Sequence, residues 1–297
     1  GVREQFRREA RGILNSLASS GGHTPHIDSG LIEIALDNLS DILTDSDLPE
    51  KTIDEAIRDI EKVVSESQKR FPTEDYLLSL EARFAAMLRD EPRATRALQA
   101  AFSKDSRDPF IAIRLSRIHL DNKDYQQAEL VLKTSLDQRR GDKRLNFAYG
   151  ELLRKTVSGS SDRKAYYYQR AFAPGDQNYQ AQFWFARFAL ESTDTKLLEK
   201  SISAFSSLRR ARVSHEMRIK VRDIFGEYEN PKRIRGSLVR KAATYALFRI
   251  AELPLNVFLH ENNVVDDVWE LLEMGEQATF EVGYSYSGLV CVNLELV

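Results

Sequence analysis

Side chains of little bulk recur in this chain at a fixed step of 34 residues. Ala82, Ser116 and Gly150 form one such series, Ala94 and Ala128 a second, and Ala101 and Ser135 a third, with Leu98 and Leu132 in step between them. One step back from Ala94, Leu98 and Ala101 stand Ile60, Val64 and Ser67, so the phase holds. Two antiparallel helices approach closely only where a small side chain lets the backbones meet, so a series of this kind calls for stacked helical hairpins. The phase predicts about five hairpins between residues 29 and 225, enough to bury a continuous core. The first spans 29–43 and 52–70. The hairpin around Gly150 carries a short insertion from Val157 to Asp162, resumes at Tyr168 and Ala171, and stops at Ala173-Pro174-Gly175. The last runs through Gln182–Leu190 and Leu197–Leu208. Ahead of them one short helix is expected over 3–18, then a loop from Ser19 to Pro25, with Asp28 or Ser29 capping the next helix.

The window 109–136 carries the pattern most fully: Leu115-Ser116, then His119, Tyr125, Ala128, Leu132 and Ser135. This resembles a tetratricopeptide repeat, a family with small residues at positions eight, twenty and twenty-seven of its unit and bulky ones at seven and twenty-four. The resemblance implies an α-solenoid whose first helices line a concave, protein-binding groove. It departs from the family at Arg140, where a proline is usual.

From Gly226 the texture changes. Short runs at Tyr245–Ile250, Leu255–His260, Ala278–Val282 and Leu289–Val297 alternate with turn residues, and Val290, Val292, Leu294 and Leu296 share a face at period two. Gly236-Ser237-Leu238-Val239, Tyr245-Ala246-Leu247-Phe248, Asn256-Val257-Phe258-Leu259-His260 and the stretch from Trp269 to Phe280 together resemble a degenerate cold-shock domain, a small barrel of the oligonucleotide-binding type. The expected fold class is therefore mainly α: a tetratricopeptide-like α-solenoid followed by a small C-terminal β-barrel of cold-shock type. The domains read as 1–28 (helix and loop), 29–229 (helical repeats) and 230–297 (barrel).

The cold-shock resemblance implies base stacking on Tyr245, Phe258 and His260, with Lys232, Arg233 and Arg235 as the basic flank. The family's first-strand tryptophan is absent, and its central phenylalanine is Leu247. Charge opposes the reading. Between 242 and 297 nine acids face one base, Arg249, and phosphate neutralisation drives such binding.

Other chemistry is sparse. The chain holds 43 basic and 45 acidic residues, so nothing global draws it to nucleic acid or an anionic membrane. No apolar run suits a membrane span, and no secretion signal opens the chain. Its single cysteine, Cys291, allows no intrachain disulfide and suits a reducing, cytoplasmic setting. Phosphate-binding loops, dinucleotide fingerprints and nucleophile elbows are missing. His23 and His26 lack a third ligand nearby, His119 reads as a half-buried packing residue, and His215 stands on a charged helix face. No cofactor is expected, and no catalytic residue.

Two groups remain as binding candidates. Arg83, Arg114, Arg117, Arg144 and Arg187 fall on first helices, where they would suit an acidic protein or peptide in the groove. Tyr166, Tyr167, Tyr168, Phe172, Tyr179, Phe183, Trp184, Phe185 and Phe188 are too dense for all to face one way on a helix that turns about 100° per residue, so some of Tyr166, Tyr167, Phe183 and Phe185 are expected to point into the groove. The chain opens Gly1-Val2-Arg3 without methionine and reads as a piece of a longer protein. The stretch 176–187 followed by a cold-shock-like end resembles the C-terminal half of large bacterial STAND NTPase or sirtuin-like antiphage defence proteins, which implies a non-catalytic sensor module. Single-stranded RNA or DNA binding is the alternative.

Overall fold

The structure, a computed structural model, describes residues 2–45, 49–157, 159–173, 175–227, 230–264 and 266–297. Ser158 and Pro174, read from the sequence as parts of an insertion and a helix stop, lie outside the described residues. Two compact units divide the chain, Gly1–Arg140 and Gly141–Val297.

The first unit is helical. It runs through α1 (Val2–Gly21), α2 (Pro25–Thr44), α3 (Glu50–Arg70), α4 (Asp75–Met87), α5 (Glu91–Lys104), α6 (Pro109–Asp121) and α7 (Tyr125–Gln138). The pairs α2/α3, α4/α5 and α6/α7 pack as hairpins. Ala82, Ala94, Ala101, Ser116, Ala128 and Ser135 are all buried where these helices meet. The earliest hairpin closes on Ile32, Leu36, Leu39, Ile60 and Val64.

The turns repeat as faithfully as the helices. Arg89 (φ 58°) and Lys123 (φ 60°) both adopt the left-handed conformation just past α4 and α6. The next residue donates its N–H five residues back, Asp90 to Ala85 O at 2.8 Å and Asp124 to His119 O at 2.7 Å. The same aspartates then cap the following helix, accepting from Arg93 N and Gln127 N. One residue thus ends one helix and starts the next, which makes the hairpin tight.

The N-terminal expectations need correction. α1 runs on to Gly21, because Ser19 and Ser20 turn their hydroxyls back onto Asn15 O and Ser16 O instead of starting a loop. Neither Asp28 nor Ser29 caps α2; Thr24 does, accepting from Ile27 N, with Pro25 in the first turn where its missing N–H costs nothing. Asp28 is instead buried and takes Arg70 Nη2 at 2.9 Å and His23 Nδ1 at 2.5 Å, tying α2 to the end of α3.

The second unit begins with α8 (Lys143–Lys155), α9 (Ser161–Arg170), α10 (Tyr179–Ala189), α11 (Thr195–Arg209) and the short α12 (His215–Ile219). α8 starts 34 residues after α6, as α6 does after α4, and Val157 (φ 51°) occupies the left-handed turn position one step after Lys123. Gly150 has a steric reason. A Cβ there would stand 3.0 Å from the Tyr168 ring.

Strands follow: β1 (Asp223–Ile224), β2 (Gly226–Glu227), β3 (Asn230–Pro231), β4 (Arg233–Lys241), β5 (Tyr245–Arg249) and β6 (Val257–His260), then α13 (Asp266–Leu271), β7 (Gln277–Ser285) and β8 (Gly288–Leu296). Asn230-Pro231 lies in a strand pairing with β2. β4, β5, β6, β8 and β7 form a ring that closes because β7 pairs with both β4 and β8, and β1 adds to β7 from outside. Every described pairing in the ring is antiparallel except β6 with β8. Gly236 admits the Phe280 ring, which a Cβ would meet at 2.7 Å.

The four-residue stripe on β8 is broken. Asn293 (φ 51°) is an extra residue opposite β7, where Thr279 pairs Glu295 but Glu281 pairs Val292. This bulge reverses the facing of the strand beyond it. Leu289 and Cys291 point into the barrel before it and Leu294 and Leu296 pack on the core after it, while Val290 and Val292 stand on the other side against Gly283. Burial pushes the Cys291 thiol well above its usual range, so it is a packing residue. One apolar core runs from Ala165 and Tyr168 through α10 and α11 to Phe248, Phe280 and Leu289, so the barrel and the last hairpin share an interior.

Candidate functional site

The five first-helix arginines have different fates. In the first unit, Arg83 on α4 holds Asp37 Oδ1 at 2.7 Å. Arg114 and Arg117 on α6 are exposed, one turn apart, and have no ion-pair partner among the described residues. In the second unit, Arg144 pairs with Asp142, the cap of α8. Burial opposes ionisation of that aspartate, but the Arg144 guanidinium and the N–H groups of Leu145 and Arg144 outweigh it and hold the carboxyl below its ordinary range.

Arg187 does not line an open groove. It is 5% exposed and enclosed by α10, β1 and β7. Its Nε lies 2.7 Å from Asp223 Oδ2, its Nη1 2.7 Å from Glu191 Oε1, and its guanidinium 4.1 Å above the centre of the Tyr284 ring. Ser161 Oγ donates to the other Glu191 oxygen at 2.9 Å. Burial, reinforced by the neighbouring carboxylates, raises the Tyr284 hydroxyl far above its usual range. The cluster bolts the last hairpin to the barrel. Lys164 lies beside it with its Nζ 5.2 Å from the centre of the Phe188 ring, and burial and the nearby Arg187 lower its pKa.

The aromatic group is also more internal than its density implies. Phe183 and Phe185 are buried, Phe183 against Phe205 and against Tyr286 of the barrel. Phe183 faces no groove, because a neighbouring helix and the barrel cover that side of α10. Tyr167 packs on Tyr149, and Tyr166 is exposed under the Arg170 guanidinium.

On the barrel, cross-strand register gathers the three predicted stacking residues. Tyr245 pairs with His260, and Leu247 with Phe258. The Tyr245 and Phe258 rings stack with centroids 5.8 Å apart and 21° between planes, and His260 stands 6.4 Å from Phe258. Phe258 is 37% exposed. Arg240, which sequence reasoning did not place in the site, lies 5.4 Å over the Tyr245 ring. Its partner in the register, Leu247, was the available signal. The basic flank is less free: Arg233 is held by Glu295 at 3.0 Å and by Asn293 O at 2.9 Å, and Lys232 lies over Phe225. Arg235 is exposed without an ion-pair partner among the described residues.

Among the described residues, no three or more histidine, cysteine or acidic side chains converge as a metal site would need, and no helix is long and apolar enough to cross a membrane.

By sequence, the chain matches no protein-family model and no curated protein. By structure, it superposes on PilF of Pseudomonas aeruginosa with a TM-score of 0.51 at 14% identity, over 70% of this chain and 86% of PilF. A thermophilic TPR protein of Thermus thermophilus gives 0.43 at 13% identity, over 64% of this chain and 93% of its own. YrrB, described as a TPR protein with an unusual peptide-binding site, gives 0.42 at 11%, over 64% and 91%. The fold is mainly α, with tetratricopeptide-like helical hairpins followed by a closed five-stranded barrel.

Proposed function

We propose that this chain is a protein-interaction scaffold without catalysis of its own, which takes an acidic protein or peptide on its first helices. The observation that carries the reading is the pair Arg114 and Arg117. Two exposed guanidinium groups on one turn of the most regular hairpin have no ion-pair partner among the described residues, and such an arginine fork suits a carboxylate partner. Arg83, in the same unit, supplies further positive charge already shared with Asp37, while Arg144 in the second unit is taken by Asp142. Arg187 is spent inside. A place as the sensor module of a larger bacterial antiphage protein rests on the sequence resemblance alone. The test is fluorescence anisotropy of the full chain against a panel of labelled acidic peptides. Affinity that falls steeply with salt and disappears in Arg114→Glu/Arg117→Glu supports the reading; a partner indifferent to both overturns it.

A second reading is supported by the stacked row Tyr245, Phe258 and His260 with Arg240 beside it. The ring order, with β6 and β8 parallel and a bulge in β4 after Leu238, is that expected of an oligonucleotide-binding barrel. Titration with a labelled oligothymidine decides it: micromolar binding lost in Tyr245→Ala favours single-strand recognition, and no binding below millimolar sinks it.

A further inference from the structure

The second unit carries an open cleft of about 740 Å³ that takes in only Phe172, Tyr179 and Phe185 of the aromatic group and none of the predicted basic residues. It lies between the second helices of two hairpins, α9 and α11, with the start of α10 behind it. Phe172 and Phe185, their ring centres 5.8 Å apart, and Tyr179 give it an apolar floor. Ala204 on α11 leaves the opposite wall low.

Lys200, Arg210 and Arg212 form the rim. All three are exposed, and none has an ion-pair partner among the described residues; Arg210 reaches only Ser206 Oγ, at 3.1 Å. The one carboxylate in the lining, Asp176, is already neutralised. Its Oδ2 takes Lys143 Nζ at 2.9 Å and the N–H of Ala173 at 2.7 Å. The cleft therefore presents uncompensated positive charge around an aromatic base.

We propose that this cleft binds an acidic peptide carrying one aromatic anchor. The spacing of charges argues for a chain rather than a small anion. Lys200 and Arg210 are ten helical positions apart, about 15 Å at 1.5 Å per residue, which no single phosphate or carboxylate spans. An extended peptide covers that length in about five residues. The anchor ring sits on Phe172 and Phe185, and flanking carboxylates meet the three cations. The site's charges stand on and after the second helix α11, and it includes none of the first-helix arginines.

The test is fluorescence anisotropy of the full chain with a labelled peptide Glu-Asp-Glu-Phe-Glu-Asp-Glu. Saturable binding is expected, weakened about tenfold or more in Lys200→Glu/Arg212→Glu and weakened likewise in Ala204→Trp, which fills the cleft. Replacing the peptide's phenylalanine by alanine is also expected to weaken it, and Arg114→Glu/Arg117→Glu to leave it unchanged. Lys200 and Arg212 are exposed, so the charge-reversed protein should keep its helical circular dichroism. Binding indifferent to Lys200→Glu/Arg212→Glu, binding that survives loss of the phenylalanine, displacement by millimolar inorganic phosphate, or loss in Arg114→Glu/Arg117→Glu would each overturn the assignment.

Discussion

Arg187 on α10 and Asp223 on β1 stand 36 residues apart in sequence and 2.7 Å apart in space. That contact, doubled by Glu191 and covered by Tyr284, is the charged tie between the last helical hairpin and the barrel, beside the apolar core they share. A charge so enclosed survives because both carboxylates are in place. Removing it leaves them facing each other with no cation between. Arg187→Met is expected to cost about 3–5 kcal/mol, read from the urea midpoint of Trp184 fluorescence. Arg187→Lys should recover only part of the loss, since an ammonium cannot fork to two partners. A midpoint unchanged in Arg187→Met would mean the cluster is idle.

The left-handed turn residues are a local inefficiency. Val157 is β-branched and takes φ 51°, a region costing a non-glycine residue about 1–2 kcal/mol. Asparagine tolerates it. Val157→Asn should therefore stabilise by about 1 kcal/mol, raising the melting temperature by about 2–4 °C. A lower melting temperature would show that the turn geometry is not as described.

Gly150 and Tyr168 set helix propensity against space. Alanine in place of a mid-helix glycine gains about 1 kcal/mol, but its Cβ would stand 3.0–3.2 Å from three atoms of the Tyr168 ring. That ring is fully buried and its hydroxyl donates to Glu151 at 2.6 Å, so it cannot give way. Overpacking of this kind costs about 1–3 kcal/mol, and Gly150→Ala should be destabilising. Thermal melts of Gly150→Ala, alone and with Tyr168→Leu, check it: the second change should relieve the first.

Stability should erode at both ends of the pH scale. Asp142 and Asp176 have depressed pKa values. In each, burial opposes the charge and is outweighed: by Arg144 and cap N–H groups for Asp142, and by the Ala173 N–H and Lys143 for Asp176. Depressed carboxylates stabilise above their unfolded value of about 4 and lose that contribution as pH falls through the folded value. Asp142→Asn keeps a competent cap and should flatten the acid limb of a stability–pH curve. Tyr168 is shifted the other way, burial and then Glu151 raising its hydroxyl well above the usual range. Its contribution is whole below the unfolded value of about 10 and is lost as pH rises towards the folded one. Tyr168→Phe should flatten the alkaline limb. Urea midpoints from pH 3 to 11 would show a symmetrical loss in both variants if these groups were not responsible.

The hairpins were legible because their determinants are local and repeat. Small residues 34 positions apart mark the crossings within α4/α5 and α6/α7 and, at Gly150, of α8 on α9, and Asp90, Asp124 and Asp142 announce the helix starts. The strands of the barrel were legible from alternation, but the reversal at Asn293 was not, since period two cannot show an added residue. An asparagine inside an apolar run was the available hint. The enclosure of Arg187 depended on a barrel folding over α10 from far along the chain. Yet Ala181–Leu190 is nearly apolar around the whole helix, which marks a helix covered on every side. An arginine in such a segment has to find carboxylates.

The docking claim is tested most directly by placing a photocrosslinking residue at position 117 on α6 and, separately, at position 258 on β6, in cells of the protein's source. The account predicts protein adducts from position 117 that disappear when Arg114→Glu is added, and few from position 258. Protein adducts absent from position 117, with nucleic-acid adducts from position 258, would contradict it.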